Sequence, residues 1–379
     1  MAKIKTIKKD LPFDLERHPY FKKWIDPLSG IESFILQKRV APIQQSFYFT
    51  NPSVSSDGKW LWFYTAYPPN RQRTLAAVSL DPDNPYIKHY PQAGFSSVSP
   101  LVAPEGDSVY FCAENNVYKM NISGEVETVC VVPESYIGNR QYNRIATHLS
   151  ISADKKYLLL DGDLGNFWWV GTGDLETGEV TILKEFGEHH DHALFSPTDP
   201  ELFLIPQDWW RDKISGHYFP YNHRLWLMNI GQTRFEPVCP HGWYPHSSRA
   251  AHEWWSKDGL ICWNEYDKGT YECDPYSLEK THVWKRPLCH AHCNSSRQYW
   301  CADESPYKWE TKAVEILFYD RINNSEKHIV SAMPPPPVAR SMYHLDPHPQ
   351  FSPCDNWIVY TTTVKDKVDI ALCPVKNIL

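Results

Sequence analysis

Long hydrophobic runs are missing from this 379-residue chain. No stretch approaches the roughly 18 to 20 apolar residues needed to cross a bilayer, so nothing in the sequence is expected to span a membrane. The lysine-bearing start, MAKIKTIKKDLPFDLERHPYF, is not followed by an apolar core or a small-residue cleavage site, which argues against a secretory leader. Blocks of single-sign charge are also absent, and the net charge is −7. A nucleic-acid scaffold, whose binding face is strongly basic, is therefore not expected. The ten cysteines contain no CxxC and no paired framework. They read as reduced core thiols of a cytoplasmic protein. A GxSxG elbow is lacking, which removes the commonest serine-hydrolase arrangement. Glycine is sparse: 17 against 31 prolines.

Aromatic residues are abundant. They make up 14% of the chain, with 16 Trp and 22 Tyr. Aromatics with many prolines favour short strands and rigid turns over long helices. The stretch AHEWWSKDG (251–259) shows the unit from which the chain is built: an apolar strand, a serine, a polar turn, then another apolar strand.

The same pattern recurs around Ser55, Ala103, Ser152, Ser196, Ser256, Ser296 and Ser352, at spacings of 48, 49, 44, 60, 40 and 56 residues. Seven units with several short strands each predict an all-β, seven-bladed β-propeller of four-stranded antiparallel blades. Segments such as NNVYKMNI, HRLWLMNI, GTYECDPY and EILFYDRI supply third strands. The last unit is too short for a fourth strand. IESFILQKR near the start is expected to fill that place, with residues 31–40 closing the ring and 1–30 forming an extension of one domain spanning 1–379. The long intervals imply insertions such as DWWRDKISGHYFPYN, and loops over a rigid scaffold are where sites are built.

Four residues before the anchors stand Asn51, Ser99, His148, His192, His252, His292 and His348. Equivalent positions of different blades converge on one mouth of the central channel, so five histidines are expected together there. A lone histidine on a strand is ordinarily a satisfied core or turn residue; a column of five is not. Two residues earlier stand His190, His290 and Asp346, with His344 two further back. Converging imidazoles suit a divalent metal, and Asp346 or Gln350 offers an oxygen to complete the shell. Helical zinc-protease chemistry is excluded, because no histidine follows His252 by four residues and the segment reads as a strand. Glu253 alternates away from His252 and takes a structural role. Arg211, Arg224 and Arg249 lie in or beside the long fourth interval, where DWWRD and HRLWLMN place cations beside aromatic faces that stack on sugars and pair with carboxylates, or where Trp209 and Trp210 only pack the loop.

QQSFYFTNPSVSSDGKWLWF, HALFSPTDPELFL, RLWLMN, AHEWWSKDG, CHAHCNSS and HPQFSP together resemble the oligogalacturonate lyase family. Those are intracellular pectin-degrading enzymes with a seven-bladed propeller and a manganese-type cation in the channel mouth. The resemblance implies a lyase acting on short uronate oligosaccharides by β-elimination. It places the general base on His252 and an assisting arginine on Arg224. The metal histidine of the next blade falls on His292, and the final-blade ligands fall in the segment Tyr343–His348, where Asp346 and His348 occupy the two histidine places of the family's HPHP. No glutamine lies near Tyr343, so His344 or Gln350 takes that position. His148, His192, Arg211 and Trp210 are expected to face the sugar. The expected partner is a uronic-acid oligosaccharide, with no nucleic acid and no membrane, on a monomer or small homo-oligomer. A TolB-like propeller serving as a binding platform is the alternative.

Overall fold

A computed structural model describes residues 13–140, 142–221, 223–238, 250–304 and 306–379. Seven antiparallel sheets follow one another along the chain. Blade 1 uses strands Ile43–Gln45, Trp60–Ala66, Arg73–Ser79 and Ile87–Phe95, and each later blade repeats that up-and-down order. The expected third strands are in place at Asn116–Asn121, Trp226–Asn229, Gly269–Cys273 and Val314–Asp320. Middle strands are buried on both faces, as in Ile261–Glu265, while outer strands such as Val126–Val131 are largely exposed. Their composition follows that difference: ICWNE has no charge before its last residue, whereas VETVCV carries a glutamate and a threonine in its exposed first half.

Ring closure is made by the N-terminal strand. Glu32–Leu36 pairs with Asp369–Pro374, setting Phe34 opposite Leu372 and Ile35 opposite Ala371. Full burial of such side chains contributes about 1.5–3 kcal/mol each, so the two chain ends are held together by a core seam. A further strand, Phe21–Ile25, pairs outside it and makes this blade five-stranded. That strand lies in the segment read from sequence as an extension. Between blades the contacts are aromatic: Trp62, Trp254, Trp263, Trp300 and Trp357 are all fully buried.

The turns after several innermost strands repeat one hydrogen-bond pattern. The Ser55 N–H donates to the Trp60 carbonyl at 2.9 Å, and Ser55 Oγ accepts from Trp60 N–H at 3.0 Å. Ser152 with Tyr157 and Ser352 with Trp357 do the same. The Ser-Lys-Asp-Gly turn of blade 5 needs its glycine, because Gly259 has φ +88° and an added Cβ would lie 2.2 Å from Thr198 Oγ1.

In blade 6 the pattern corrects the sequence alignment. Asn294, not Ser296, donates to the Tyr299 carbonyl (3.0 Å) and accepts from Tyr299 N–H through Oδ1 (3.0 Å). An asparagine amide oxygen caps this turn as a serine hydroxyl does. The shift of two residues puts His290 rather than His292 four places before the anchor.

The long fourth unit holds a two-stranded ribbon, Trp210–Arg211 paired with Tyr218–Phe219. The nine described cysteines are free thiols. No helix among the described residues is long and apolar enough to cross a membrane.

Candidate active site at the channel mouth

The innermost strands deliver their leading residues to one end of the channel. Three of these, His192, His252 and His348, have positive φ values of 57°, 53° and 45°. Left-handed backbone at a non-glycine residue is uncommon and marks a local irregularity. In blade 5 it coincides with a shift of strand register between Ala251 and Trp254.

Tyr48, from blade 1, occupies the centre. Its ring stacks on His148 with centroids 4.4 Å apart and meets His348 edge-on at 4.7 Å. His290 and His344 are each 5.9 Å away. His290 in turn lies 4.1 Å from His252 and 4.3 Å from His348. Six histidines from five blades thus share this mouth: His148 and His192 on one side, His252, His290, His344 and His348 on the other.

The buried acids fix the ring orientations. Asp303, fully buried, accepts from the His290 N–H (2.7 Å), from His290 Nδ1 (2.9 Å to Oδ2) and from the His348 N–H (3.2 Å). His290 Nε2 is left on the opposite side of its ring. Asp346 Oδ2 is 3.5 Å from both His344 Nε2 and His348 Nε2, while its Oδ1 accepts from Arg340 Nη1 at 2.8 Å. His252 Nδ1 donates to the Cys289 carbonyl at 2.8 Å, and its Nε2 is 3.4 Å from the Tyr266 hydroxyl.

Desolvation sets the protonation states. Burial, then Arg340, pushes His290 down to about 3. Burial, followed by neighbouring imidazoles, holds His148, His252 and His348 well below the usual histidine range. All are neutral at pH 7, the form that ligates metals and accepts protons. Burial lifts Asp346 to about 8 against the pull of Arg340. A carboxyl so raised regains its charge when a cation sits against it.

Donor atoms of His290, Asp346 and His348 lie within 4.8 Å of one another, and so do those of His252, Cys289 and His290. The first set offers nitrogen and oxygen donors. The second includes a thiol that burial pushes well up. His348 Nε2 and both ring nitrogens of His148 are buried without a hydrogen-bond partner. Buried polar atoms left unsatisfied cost about 1–3 kcal/mol each, which a bound ion or ligand recovers.

His148, His192, His252, His344 and His348 are brought together here. His292 is not: its Nδ1 accepts the Phe351 N–H at 3.0 Å, and its ring packs beside Trp254. It lines a cavity of about 290 Å³ farther along the channel, where the innermost strands end at Ser256, Lys257 and Pro353. That cavity is mostly apolar and gathers no acid–base cluster. Gln350 is also elsewhere, since its Oε1 accepts from Ser53 N–H (2.7 Å) and its Nε2 donates to the Phe47 carbonyl (3.1 Å), joining the last blade to the first.

Arg224 is buried beside the mouth with its donors committed to Glu253, Asp208 and the Gln207 carbonyl. Arg211 is exposed on the ribbon, and Trp210 is half-buried against Phe219 (4.4 Å) and Trp168 (5.1 Å). Arg249 falls outside the described residues. The anchor alignment obscured His290, and no periodic signal marked Tyr48, Tyr266, Asp191, Asp303 or Arg340, which reach the site from other strands and loops.

No protein-family model matches the chain. A curated oligogalacturonate lyase from Dickeya dadantii (strain 3937) is 21% identical over 326 residues, covering 75% of this chain and 79% of that protein. A solved oligogalacturonate lyase in complex with manganese superposes with a TM-score of 0.74 at 18% identity, over 93% of this chain and 96% of that one. The oligogalacturonate lyase of Vibrio parahaemolyticus gives 0.74 at 17%, over 94% and 96%. A Kuenenia stuttgartiensis hydrazine synthase chain reaches 0.51 at 13%, over 88% and 96%. The resemblance seen in the sequence is borne out, and the seven-bladed fold with it.

Proposed function

We propose that this protein is a metal-assisted lyase that cleaves short uronate oligosaccharides by β-elimination, leaving an unsaturated uronate on one product. The observation that carries this reading is the convergence of imidazoles from five blades on one mouth, those of His148, His252, His290 and His348 neutral, with a buried carboxyl among them. The similarity to oligogalacturonate lyases supports it.

His290, Asp346 and His348 are the residues we assign to a divalent cation, with His344 beside them. Two nitrogens and a carboxylate oxygen suit manganese, and the unpartnered His348 Nε2 fits a ligand position. When bound, such an ion neutralises the substrate carboxylate and so acidifies the C5–H next to it.

Proton removal falls to His252. Its Nδ1–H is held by the Cys289 carbonyl, so the basic lone pair is on Nε2, in reach of the Tyr266 hydroxyl. Arg224 acts from behind as a positive charge; its two acidic partners leave it without a free fork for a sugar carboxylate. His148 faces the sugar with two unpartnered nitrogens, and the ribbon residues Trp210 and Arg211 border the approach. A mouth crowded by Tyr48 favours short oligomers or chain ends over the middle of a polymer. We place the protein in the cytoplasm, where free thiols persist.

The test is incubation with manganese and short oligomers of galacturonate, glucuronate or iduronate, following the ultraviolet absorbance of the unsaturated product. Absorbance growth with the galacturonate oligomers is the expected result. No growth with any of the three removes the lyase reading.

A further inference from the structure

β-Elimination moves two protons, and His252 handles one of them. As the C4–O bond breaks, its electron pair stays on the oxygen attached to the neighbouring sugar. An alkoxide is a poor leaving group unless it is protonated as it departs.

His192 stands in blade 4 where His252 stands in blade 5, and both have left-handed backbone. Their Nδ1 partners differ in kind. His252 Nδ1 meets a neutral carbonyl, whereas His192 Nδ1 is bonded to Asp191 Oδ1. A carbonyl only orients an imidazole; a carboxylate also stabilises the imidazolium. Two like groups in unlike surroundings are how one site divides base from acid.

Asp191 is built to stay ionised. It is 4% exposed, and its Oδ2 accepts from Arg144 Nη2 at 2.6 Å and from His189 Nε2 at 2.9 Å. His189 is itself anchored through Nδ1 to the Trp209 carbonyl at 3.0 Å, which ties this unit to the ribbon at the mouth. The other neighbour of His192 is His148, 5.0 Å away, whose nitrogens have no partner. The His192 side chain is 24% exposed, so solvent can reprotonate it after each turnover.

We propose that His192 is the general acid of this elimination, giving its Nε2 proton to the departing oxygen, and that Asp191 is a positioning residue that holds the imidazolium. The step rests on the lyase reading above. The C5 proton goes to His252, the C5–H electron pair becomes the C4=C5 double bond, and the C4–O pair stays on the oxygen, which takes the His192 proton and becomes the hydroxyl of a new reducing end. His252 returns its proton to water and His192 takes one back, so no oxidant or reductant is needed.

Two substrates test this on the manganese-loaded full-length protein: a galacturonate trisaccharide, and a galacturonate carrying a 4-nitrophenyl ether at C4, whose phenolate leaves without an acid. His192→Gln is expected to lower kcat on the trisaccharide by about 10²- to 10⁴-fold and on the nitrophenyl ether by less than about 10-fold. Asp191→Asn is expected to show the same dependence on leaving group, which a loss of folding alone would not produce. Equal losses on both substrates, or an unchanged rate on the trisaccharide, overturn the assignment. A wild-type protein inactive on both overturns the lyase reading and this assignment with it, whereas an active wild type leaves the two separable.

Discussion

Glu253 grips Arg224 from two sides, Nε to Oε2 at 3.1 Å and Nη2 to Oε1 at 3.0 Å, with the two side chains only 2% and 7% exposed. Glu253 follows His252 directly, and on a regular strand the two would point to opposite faces. The irregularity at His252 lets that histidine face the mouth while its neighbour secures the buried cation next to it.

Removing this carboxylate leaves Arg224 with Asp208 as its one remaining acidic partner among the described residues. Breaking a buried ion pair from one side costs about 3–5 kcal/mol. Glu253→Gln is therefore expected to lower stability by roughly that amount in urea unfolding. A change below about 0.5 kcal/mol, typical of surface substitutions, shows that the pair contributes nothing beyond an exposed one.

His252→Ala is expected to reduce the rate of unsaturated-product formation by at least about 10²-fold, with the thermal midpoint little changed because the ring sits at the mouth rather than in a blade interior. Initial rates and a thermal melt of the same preparation check both halves. Full activity in the variant means that another group takes the proton.

Manganese binding should depend on His290, Asp346 and His348 and not on His292. Calorimetric titration is expected to show His348→Ala and Asp346→Asn weakening affinity by about 10-fold or more, while His292→Ala stays within about twofold, on the scale set for ligand and supporting residues. A chelator should lower the thermal midpoint of the loaded wild type, since an ion bound only by the folded state stabilises it. If His292→Ala weakens binding as much as His348→Ala, the sixth anchor belongs at Ser296 after all.

Acid should destabilise the fold through buried neutral histidines. Burial takes His190, stacked on Phe186 at 4.2 Å, from 6.5 to about 4. The unfolded chain binds this proton first, so the stabilisation is complete above pH 6.5 and is lost as pH falls from there to about 4. At about 1.4 kcal/mol per pH unit, this one residue accounts for about 3 kcal/mol at most. Urea midpoints between pH 7.5 and 4 should fall, and His190→Phe should flatten the slope. An unchanged slope places the acid sensitivity in other groups.

Much of the architecture was legible in the chain itself. Seven turns, anchored by serine, alanine or in blade 6 asparagine, with apolar strands on either side and a short last unit, determine seven blades closed by an N-terminal strand, because side-chain alternation and turn capping are local effects that operate within a few residues. The same register marked His148, His192, His252 and His348. It misplaced one blade, where Asn294 does the work of a serine and CHAHCNSS holds two histidines two residues apart. Local pattern could not separate His290 from His292, since a spacing of two residues gives both the same place in an alternating pattern, although the strand itself begins only at Ala291.

What only the tertiary structure decided is which groups meet. Tyr48 touches four histidines from three other blades, Asp303 ties blade 6 to blade 7 through His290 and His348, and Asp191 joins Arg144, His189 and His192. None of these contacts repeats with the blade period. They arise when ring closure brings seven strand ends to one axis and left-handed residues turn individual side chains toward it, and that geometry belongs to the closed ring rather than to any single repeat.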